Sequence, residues 1–461
     1  MIFRDTIAAV ATPPGIGGIG IIRISGPGAG TIARRLFRPC RPTAELKSHR
    51  LCHGEIVDTE TGAVLDEVLL SFLKAPGSYT GEETVEISCH GGPLVLRTVL
   101  EEVLRAGARP ADRGEFTRRA YLNGRLDLSQ AEAVLDIITA QTQPGLTAAV
   151  GRLRGNLSGR IEEIRGAIID LLAGIEAAID FSEDDGIGEK PDNSAPRIRE
   201  ILSGIETLAA TYRQGKIYRE GIGVVIAGRP NVGKSSLMNR LLGEKRSIVT
   251  SVPGTTRDFI EETADLGGIP VRLTDTAGLG PAQNAIEKEG VELAWGRLEK
   301  ADAVLLLLDG SADLTKDDRE ILGRTASKPR LVVINKCDLP ARLDEGLLIG
   351  FLPEGTSRSI RISAKYGDGI DHLTASLRGL VLETPAEEAP DVMIAHLHQK
   401  VALEKTMEGL ERAADGLSKG LPAELVALEI REAIDALGDI TGRTTPEEVL
   451  DRIFAKFCIG K

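Results

Sequence analysis

Aromatic residues make up 3% of the 461-residue chain, with a single tryptophan. Stacking platforms for nucleic-acid bases are therefore sparse. An excess of positive charge is missing too, since the formal net charge is −12. That excludes a large basic nucleic-acid surface over the whole molecule, but leaves room for a local patch or for RNA held mainly by a partner. Cysteine is scarce and scattered: Cys40, Cys52, Cys89, Cys337 and Cys458, an odd number with no CxxC. The pattern argues against a disulfide framework or zinc finger, and a reducing compartment is expected. Cys52-His53 and Cys89-His90 chelate poorly, because neighbours on a strand point to opposite faces. His396 and His398, two apart in a helical stretch, are expected to diverge. Long apolar runs are also missing; the densest, VLLLL at 304–308, is far too short to span a bilayer. The start, MIFRDTIAAVATPPG, lacks the basic-then-apolar order of a signal peptide. A cytoplasmic protein with no membrane segment is expected.

The length suggests about three domains at roughly 150 residues each, and the 42% hydrophobic content is enough for several cores. Residues 1–120 mix β-rich runs (IGIIRIS, DEVLLSFL, TVEISCHG) with a helical one, LVLRTVLEEVLRAG, and read as α+β. Residues 121–217 turn helical, with Ile161, Ile164, Ile168, Leu172, Ile175 and Ile179 on one face of a long helix. An acidic loop, FSEDDGIGEKPDNSAP, interrupts this part before a helix over about 196–216. Residues 218–382 alternate strands and helices from GVVIAG onward, an α/β pattern. ETPAEEAP opens the last part, 383–461, as a linker, and helices follow. Two helical parts around an α/β unit point to one discontinuous helical domain with the α/β domain inserted, because each half alone would have a thin core.

GIGGIG, 15–20, satisfies GxGxxG. A dinucleotide fingerprint needs a strand before it and a helix opening at its third glycine. Here Pro13-Pro14 precede and the strand-like IIRIS follows, so the motif reads as a Gly-rich turn entering a strand.

GRPNVGKS, 228–235, matches GxxxxGK[ST] between the strand GVVIAG and the helical run SLMNRLLG. Backbone N–H groups around Val232 and Gly233 suit phosphates, Lys234 reaches the β/γ-phosphates, and Ser235, followed by Ser236, ligates Mg²⁺. Four more motifs follow in order. GTTRD, 254–258, offers a threonine to the metal. DTAG, 275–278, places Asp275 for Mg²⁺ and Gly278 to sense the γ-phosphate through its N–H, with Thr276 and Ala277 beside them as nucleotide-binding candidates. NKCD carries Asn335, Lys336 and Asp338; a carboxylate there accepts from the guanine amide and amino groups, favouring GTP over ATP. SAK, Ser363, Ala364 and Lys365, completes the base pocket. Leu279 stands where Ras-type proteins carry a water-orienting glutamine, so hydrolysis needs other assistance. Asn231 reads either as a turn-stabilising side chain or as a K⁺ ligand, K⁺ then doing the work of an arginine finger. The switch segment TSVPGTTRD would wrap that ion with carbonyls. Glu287 reads either as a solvated helix charge or as the group that orients the water.

With these motifs, the start ATPPGIGGIGIIRISG, the blocks SYTGEETVEISCHGG and RGEFTRRAYLNGRLDLSQAEAV, and the ending FCIGK, the chain resembles the MnmE (TrmE) family of tRNA-modification GTPases over nearly its whole length. The resemblance implies a multidomain fold: an N-terminal α+β tetrahydrofolate-binding and dimerisation domain, a discontinuous helical domain and an inserted Ras-like P-loop G domain. It implies a homodimer working with the FAD-dependent partner MnmG (GidA) as a heterotetramer. The pair installs an aminomethyl or carboxymethylaminomethyl group on C5 of the tRNA wobble uridine, with K⁺-dependent GTP hydrolysis. The one-carbon donor is a tetrahydrofolate derivative, 5,10-methylene or 5-formyl. By resemblance the folate site falls on Arg23, Glu86, Arg125 and Lys461. A pterin donor edge suits Glu86, and the folate glutamate tail suits the cations. Arg125 stands where some relatives carry lysine; the charge is kept but the geometry is not equivalent. K⁺ ligation carries over to Asn231, Thr250, Val252 and Thr255, Mg²⁺ ligation to Ser235 and Thr256, and the assisting glutamate to Glu287.

TTPEEVLDRIFAKF reads as a capped helix, with Thr445 as N-cap, Pro446 at N1 and Glu448 at N3. Val449, Leu450, Ile453, Phe454 and Phe457 form its apolar stripe. That helix is expected to dock and to deliver Cys458 and Lys461 to a defined place. Cys458 reads either as a small buried apolar residue or as a thiol taking part in the modification chemistry. Two other functions compete with the modification GTPase. An RNA- or ribosome-binding GTP switch without modification chemistry would need a basic RNA module. A stand-alone folate aminomethyltransferase would leave the G motifs idle.

Overall fold

The computed structural model describes residues 5–41, 46–180, 194–245, 262–275, 295–351, 359–382 and 391–461. In chain order the elements are β1 (Ile7–Val10), β2 (Ile19–Ser25), α1 (Ala29–Leu36), β3 (Phe37–Pro39), β4 (Arg50–Val57), β5 (Val64–Leu73), β6 (Thr84–His90), α2 (Pro93–Arg105), β7 (Arg109–Pro110) and α3 (Glu115–Leu122). Helices α4 (Leu128–Thr139), α5 (Gln143–Leu153), α6 (Asn156–Asp180), α7 (Ser194–Ala210) and α8 (Tyr212–Glu220) follow. Then come β8 (Ile222–Ala227), α9 (Lys234–Lys245), β9 (Glu262–Leu266), β10 (Ile269–Asp275), β11 (Ala303–Asp309), α10 (Lys316–Arg324), β12 (Arg330–Asn335), β13 (Ile360–Arg361) and α11 (Ile370–Val381). The last helices are α12 (Leu397–Ser418), α13 (Ala423–Thr441) and α14 (Glu447–Phe454). The chain divides into two compact units: residues 1–135, 152–201 and 405–461, and residues 136–151 and 202–404.

The first unit holds a seven-stranded sheet, β3-β4-β5-β6-β2-β1-β7, antiparallel except where β1 meets β7. IGIIRIS alternates as a half-buried strand should: Ile22 and Ile24 face the core with Val85, Ile87 and Leu70, covered by Ile32, Leu36, Val99 and Val103 of α1 and α2. Each such side chain contributes about 1.5–3 kcal/mol on burial. Arg23 then points to the other face, directly opposite Glu86 in the register. GIGGIG leads into β2, with no helix at its third glycine. The long helix is α6; its buried row includes Leu171, while Leu172 is half-buried, and since positions three and four after Ile168 flank the same face, spacing alone does not choose between them. α6 packs on α13, with ion pairs Arg431–Glu176 and Arg443–Glu162 at its flank. Cys89 is buried and His90 exposed, as adjacent strand residues divide. Burial, with Asp66 nearby, pushes the Cys89 thiol up to about 12, so it is inert.

The second unit is an α/β sandwich around the sheet β13-β12-β11-β8-β10-β9, parallel except for edge strand β9. VLLLL is β11, buried on both faces as a central parallel strand must be. Leu305 and Leu307 enter one core with Leu237 and Leu241 of α9 and Leu373 and Leu377 of α11. Val304, Leu306 and Leu308 enter the other, with Ile321 and Leu322 of α10. The helix expected over 196–216 is two, α7 and α8, separated at Thr211; the Thr211 hydroxyl donates to the Leu208 carbonyl and accepts from Ile394 N–H. The expected divergence of His396 and His398 is also corrected. α12 starts at Leu397, so His396 precedes the helix and the two rings lie 5.7 Å apart. Among the described residues no helix is long and apolar enough to cross a membrane.

Candidate functional site

Strand β8 lies between β10 and β11, where the strand order turns back on itself, the place at which parallel sheets open a crevice for ligands. The chain leaves β8 through Gly228, where a Cβ would sit 2.5 Å from the Leu307 carbonyl oxygen. Asn231 (φ 63°) and Gly233 (φ 101°) then adopt left-handed backbone and wind the loop into the N-terminus of α9. Such a turn aims successive N–H groups and the positive helix end at one point. Lys234 opens the helix, is only 7% exposed, and donates from Nζ to the carbonyls of Gly228 and Arg229 at 3.0 Å each. Val232 is buried, while Asn231, Ser235 and Ser236 are exposed at the mouth of the loop.

Asn335 joins three of the motifs. Its Nδ2 donates to the Val232 carbonyl (2.8 Å) and its Oδ1 accepts from Ala364 N–H (2.9 Å). Lys336, at φ 65°, pairs with Asp309 at 2.6 Å. Burial opposes ionisation of Asp309, yet Lys336 and Ser311 hold its carboxyl below the ordinary value. Asp338 accepts from the Ser363 hydroxyl at 2.7 Å, which orients the carboxylate. Arg240 of α9 donates to the carbonyls of Ala364 and Lys365, fastening the SAK loop to the helix that follows the P-loop. Lys365 lies over the Tyr366 ring at 5.0 Å. Asp275 ends β10 beside β8, paired with Ile226 in the register. Thr250, Val252, Thr255, Thr256, Thr276, Ala277, Gly278 and Glu287 lie outside the described residues. The described residues fit a guanine nucleotide: anion-receptive amides and Lys234 at one end, an oriented carboxylate at the other.

A second constellation belongs to the first unit. Arg23 pairs with Glu86 at 2.8 Å, and its guanidinium lies 5.5 Å from the Tyr79 ring centroid and 5.7 Å from that of Phe116. Arg23 Nη1 also donates to the Gly460 carbonyl at 3.3 Å. The segment FCIGK is thus part of this site. Ile459 bridges Arg113, and Gly114 N–H donates to the Cys458 carbonyl. Gly460, at φ 93°, passes so close to β1 that a Cβ would collide with the Val10 carbonyl. Lys461 comes near Arg23, Glu86 and Cys458; burial and then the Arg23 charge lower its pKa, against the pull of Glu86 and Cys458. Arg125 is exposed after α3, its side chain beside Gly81 and Asn123. Cys458 is exposed, which removes the reading of it as a buried apolar residue. The helix that carries the segment is α14, held by Leu450, Phe454 and Phe457 against Leu128, Ala131 and Val134. Its expected cap is corrected. α14 begins at Glu447 after Pro446, without a side-chain cap, and the Thr445 hydroxyl donates instead to the Asp439 carbonyl. Val449 lies on the exposed side of the stripe.

The motifs did not single out Tyr79, Phe116 or the Gly460 carbonyl; a glycine in a short tail was the one available sign. They also missed Arg119, which is 0% exposed and bound to Asp5, Glu82 and Glu115.

An α/β unit with this loop and base pocket is that of a P-loop nucleotide-binding protein, here on one chain with a seven-stranded α+β sheet. The family model "GTP-binding protein TrmE N-terminus" matches residues 6–125, and "MnmE helical domain" matches 128–458. The tRNA modification GTPase MnmE of Syntrophus aciditrophicus is 53% identical over 99% of this chain and 100% of its own length. That of Geobacter sulfurreducens is 46% identical over 100% of both. A solved structure of Aquifex aeolicus Era is 29% identical, covers 41% of this chain and 67% of its own, and has a TM-score of 0.28, too low to carry weight. The chain belongs to the MnmE family of tRNA modification GTPases.

Proposed function

We propose that the chain is a K⁺-activated GTPase that acts with an FAD-dependent MnmG partner. Together they add an aminomethyl or carboxymethylaminomethyl group to C5 of the tRNA wobble uridine. The observation that carries this reading is the tail: one chain with a phosphate cradle also presents Arg23, Glu86, Lys461 and an exposed Cys458 around the Gly460 carbonyl. A GTP switch without chemistry has no use for that second site. The full-length similarity to relatives named tRNA modification GTPases supports it. The helical-domain match, running from 128 to 458 around the α/β unit, supports an inserted G domain over 218–382 between helical parts 121–217 and 383–461. The N-terminal 1–120 would bind folate and dimerise, and the dimer would join MnmG as a heterotetramer in the cytoplasm.

Each proposed role follows the chemistry of the residue. Lys234 and the loop amides bind phosphate charge, and Ser235 and Thr256 hold Mg²⁺. Asn231, with Thr250, Val252 and Thr255, holds K⁺, and Glu287 orients the water. Asp338 selects guanine, because a carboxylate accepts from both donors of the base edge. A tetrahydrofolate derivative supplies a one-carbon unit when bound. Glu86, fixed by Arg23, accepts from the pterin edge, while Lys461 and Arg125 attract the glutamate tail. Cys458, exposed beside Lys461, takes part in the modification.

Mass spectrometry of tRNA wobble uridines tests this in a strain lacking its own enzyme of this type and given this gene, intact or as Cys458→Ser. Restoration of a C5-aminomethyl-type nucleoside is expected from the intact gene. Soluble, GTP-hydrolysing protein that restores nothing, even with its own MnmG partner co-expressed, would overturn the modification reading in favour of an RNA switch. GTP turnover should be far faster in KCl than in NaCl, and Asn231→Ala should abolish the difference; equal rates in both salts rule out K⁺ activation.

A further inference from the structure

We propose that Cys40, His53 and Glu67 form a zinc site on the outer face of the N-terminal sheet, sharing no residue with the nucleotide motifs or the Arg23–Glu86 constellation. The register of three strands assembles it. Cys40 N–H donates to the His53 carbonyl at 3.1 Å, extending the β3–β4 ladder one residue past Pro39 and setting Cys40 opposite His53. On β5, Leu69 is opposite His53, and Glu67, two residues away, shares its face. The pleat therefore gathers a thiol, an imidazole and a carboxylate on one side, while Cys52 turns to the core side. All three residues are exposed, and their ligand atoms lie within 4.8 Å of one another. His53 Nε2 and Glu67 Oε1 are already 2.6 Å apart.

The donor set selects the ion. Sulfur and nitrogen ligands are foreign to Mg²⁺ and Ca²⁺, and suit Zn²⁺ and its neighbours. Tetrahedral zinc bonds of about 2.0–2.3 Å require donors about 3.3–3.6 Å apart. Exposed rotors meet this if the His53–Glu67 pair opens by under about 1 Å and the thiol closes by up to about 1.5 Å. The ion replaces the hydrogen bond between His53 and Glu67, and Cys40 binds as thiolate, releasing its proton to solvent. Three protein ligands leave the fourth position open to water or to a donor from another molecule.

The test uses the full-length, reduced, metal-stripped chain and Co²⁺ as a spectroscopic probe. One equivalent should produce a thiolate-to-cobalt charge-transfer band in the near ultraviolet, with visible bands of four-coordinate intensity. Zn²⁺ should abolish both, and Zn²⁺ binding should release protons to the buffer. Cys40→Ser should remove the charge-transfer band. His53→Gln should weaken Zn²⁺ binding by more than about 100-fold, the upper end for losing a mere outer partner. Both positions are exposed, so the variants should keep the parent circular dichroism. Absence of the band, or a band that survives Cys40→Ser and is lost with Cys337→Ser or Cys458→Ser, overturns the assignment.

Discussion

Replacing Arg119 by alanine should be among the most damaging single changes in the first unit. Its guanidinium is 0% exposed and donates to Asp5 Oδ1 (2.9 Å), Glu115 Oε1 (2.9 Å), Glu82 Oε2 (3.2 Å) and the Asp5 carbonyl (3.1 Å). Alanine leaves those carboxylates in place and removes the charge that compensates them. Breaking a buried pair from one side costs about 3–5 kcal/mol. Arg109 still reaches Asp5 (2.7 Å) and Glu115 (2.5 Å), so the lower end applies, about 3 kcal/mol. Glu82 keeps a single hydroxyl donor, Ser25. At about 2–4 °C per kcal/mol for units of this size, calorimetry should show Tm lowered by about 6–12 °C. The sign with pH is fixed by the carboxylates. Burial opposes ionisation of Glu115, but Arg109, the Asp112 N–H and Arg119 hold its pKa below the ordinary value. That stability is present above the unfolded pKa of about 4.3 and is lost as pH falls through the folded one. The gap between wild type and Arg119→Ala should therefore narrow below about pH 4. Adding Glu82→Gln and Glu115→Gln to Arg119→Met should recover much of the loss, because the uncompensated charges go too. A Tm lowered by less than about 2 °C in Arg119→Ala, or a gap that widens in acid, would refute the reasoning.

Gly460→Ala forces an L residue into left-handed backbone against the Val10 carbonyl; hydrogen exchange at Ile459–Lys461 should rise, and wobble modification should fall while GTP turnover stays intact. Unchanged exchange would mean the tail does not depend on that approach. Asp66 Oδ1 lies 2.7 Å from His90 Nδ1 and raises its pKa through that hydrogen bond and its charge. By NMR, His90 should titrate above about 6.5, and the stabilisation is complete below that value and lost as pH rises through the folded pKa; Asp66→Asn should lower the midpoint, and no change would refute the pairing. Asp338→Asn should weaken GTP binding by about 10²–10⁴-fold, the loss of two hydrogen bonds to a charged acceptor at about 1.5–3 kcal/mol each; xanthosine triphosphate, which offers an acceptor there, should bind better than GTP, and retained GTP preference would remove Asp338 from the base pocket.

What the sequence determined alone was whatever depends on local pattern. GVVIAG followed by GRPNVGKS can be little else than a buried strand turning into a helix, because β-branched residues, glycines and a lysine at that spacing have one compact solution. Alternation in IGIIRIS likewise fixed which residues face the core, and so put Arg23 on the other side. Side-chain competition defeated the local rules. Thr445 has the chemistry of a cap, but the Asp439 carbonyl takes its hydroxyl. In α6 the fully buried leucine is Leu171 and not Leu172, because both flank the face of Ile168 and spacing alone cannot choose between them. His396 and His398 approach because α12 starts between them. Only the tertiary structure decided what meets across long separations. Arg23 and Glu86 are joined by strand register, and Gly460 reaches Arg23 from 437 residues away. Arg119 gathers carboxylates from three segments, and Cys40 comes opposite His53. Apart from Glu115, four residues from Arg119 on the same helix, these contacts depend on how elements pack, and no short window of sequence contains both partners.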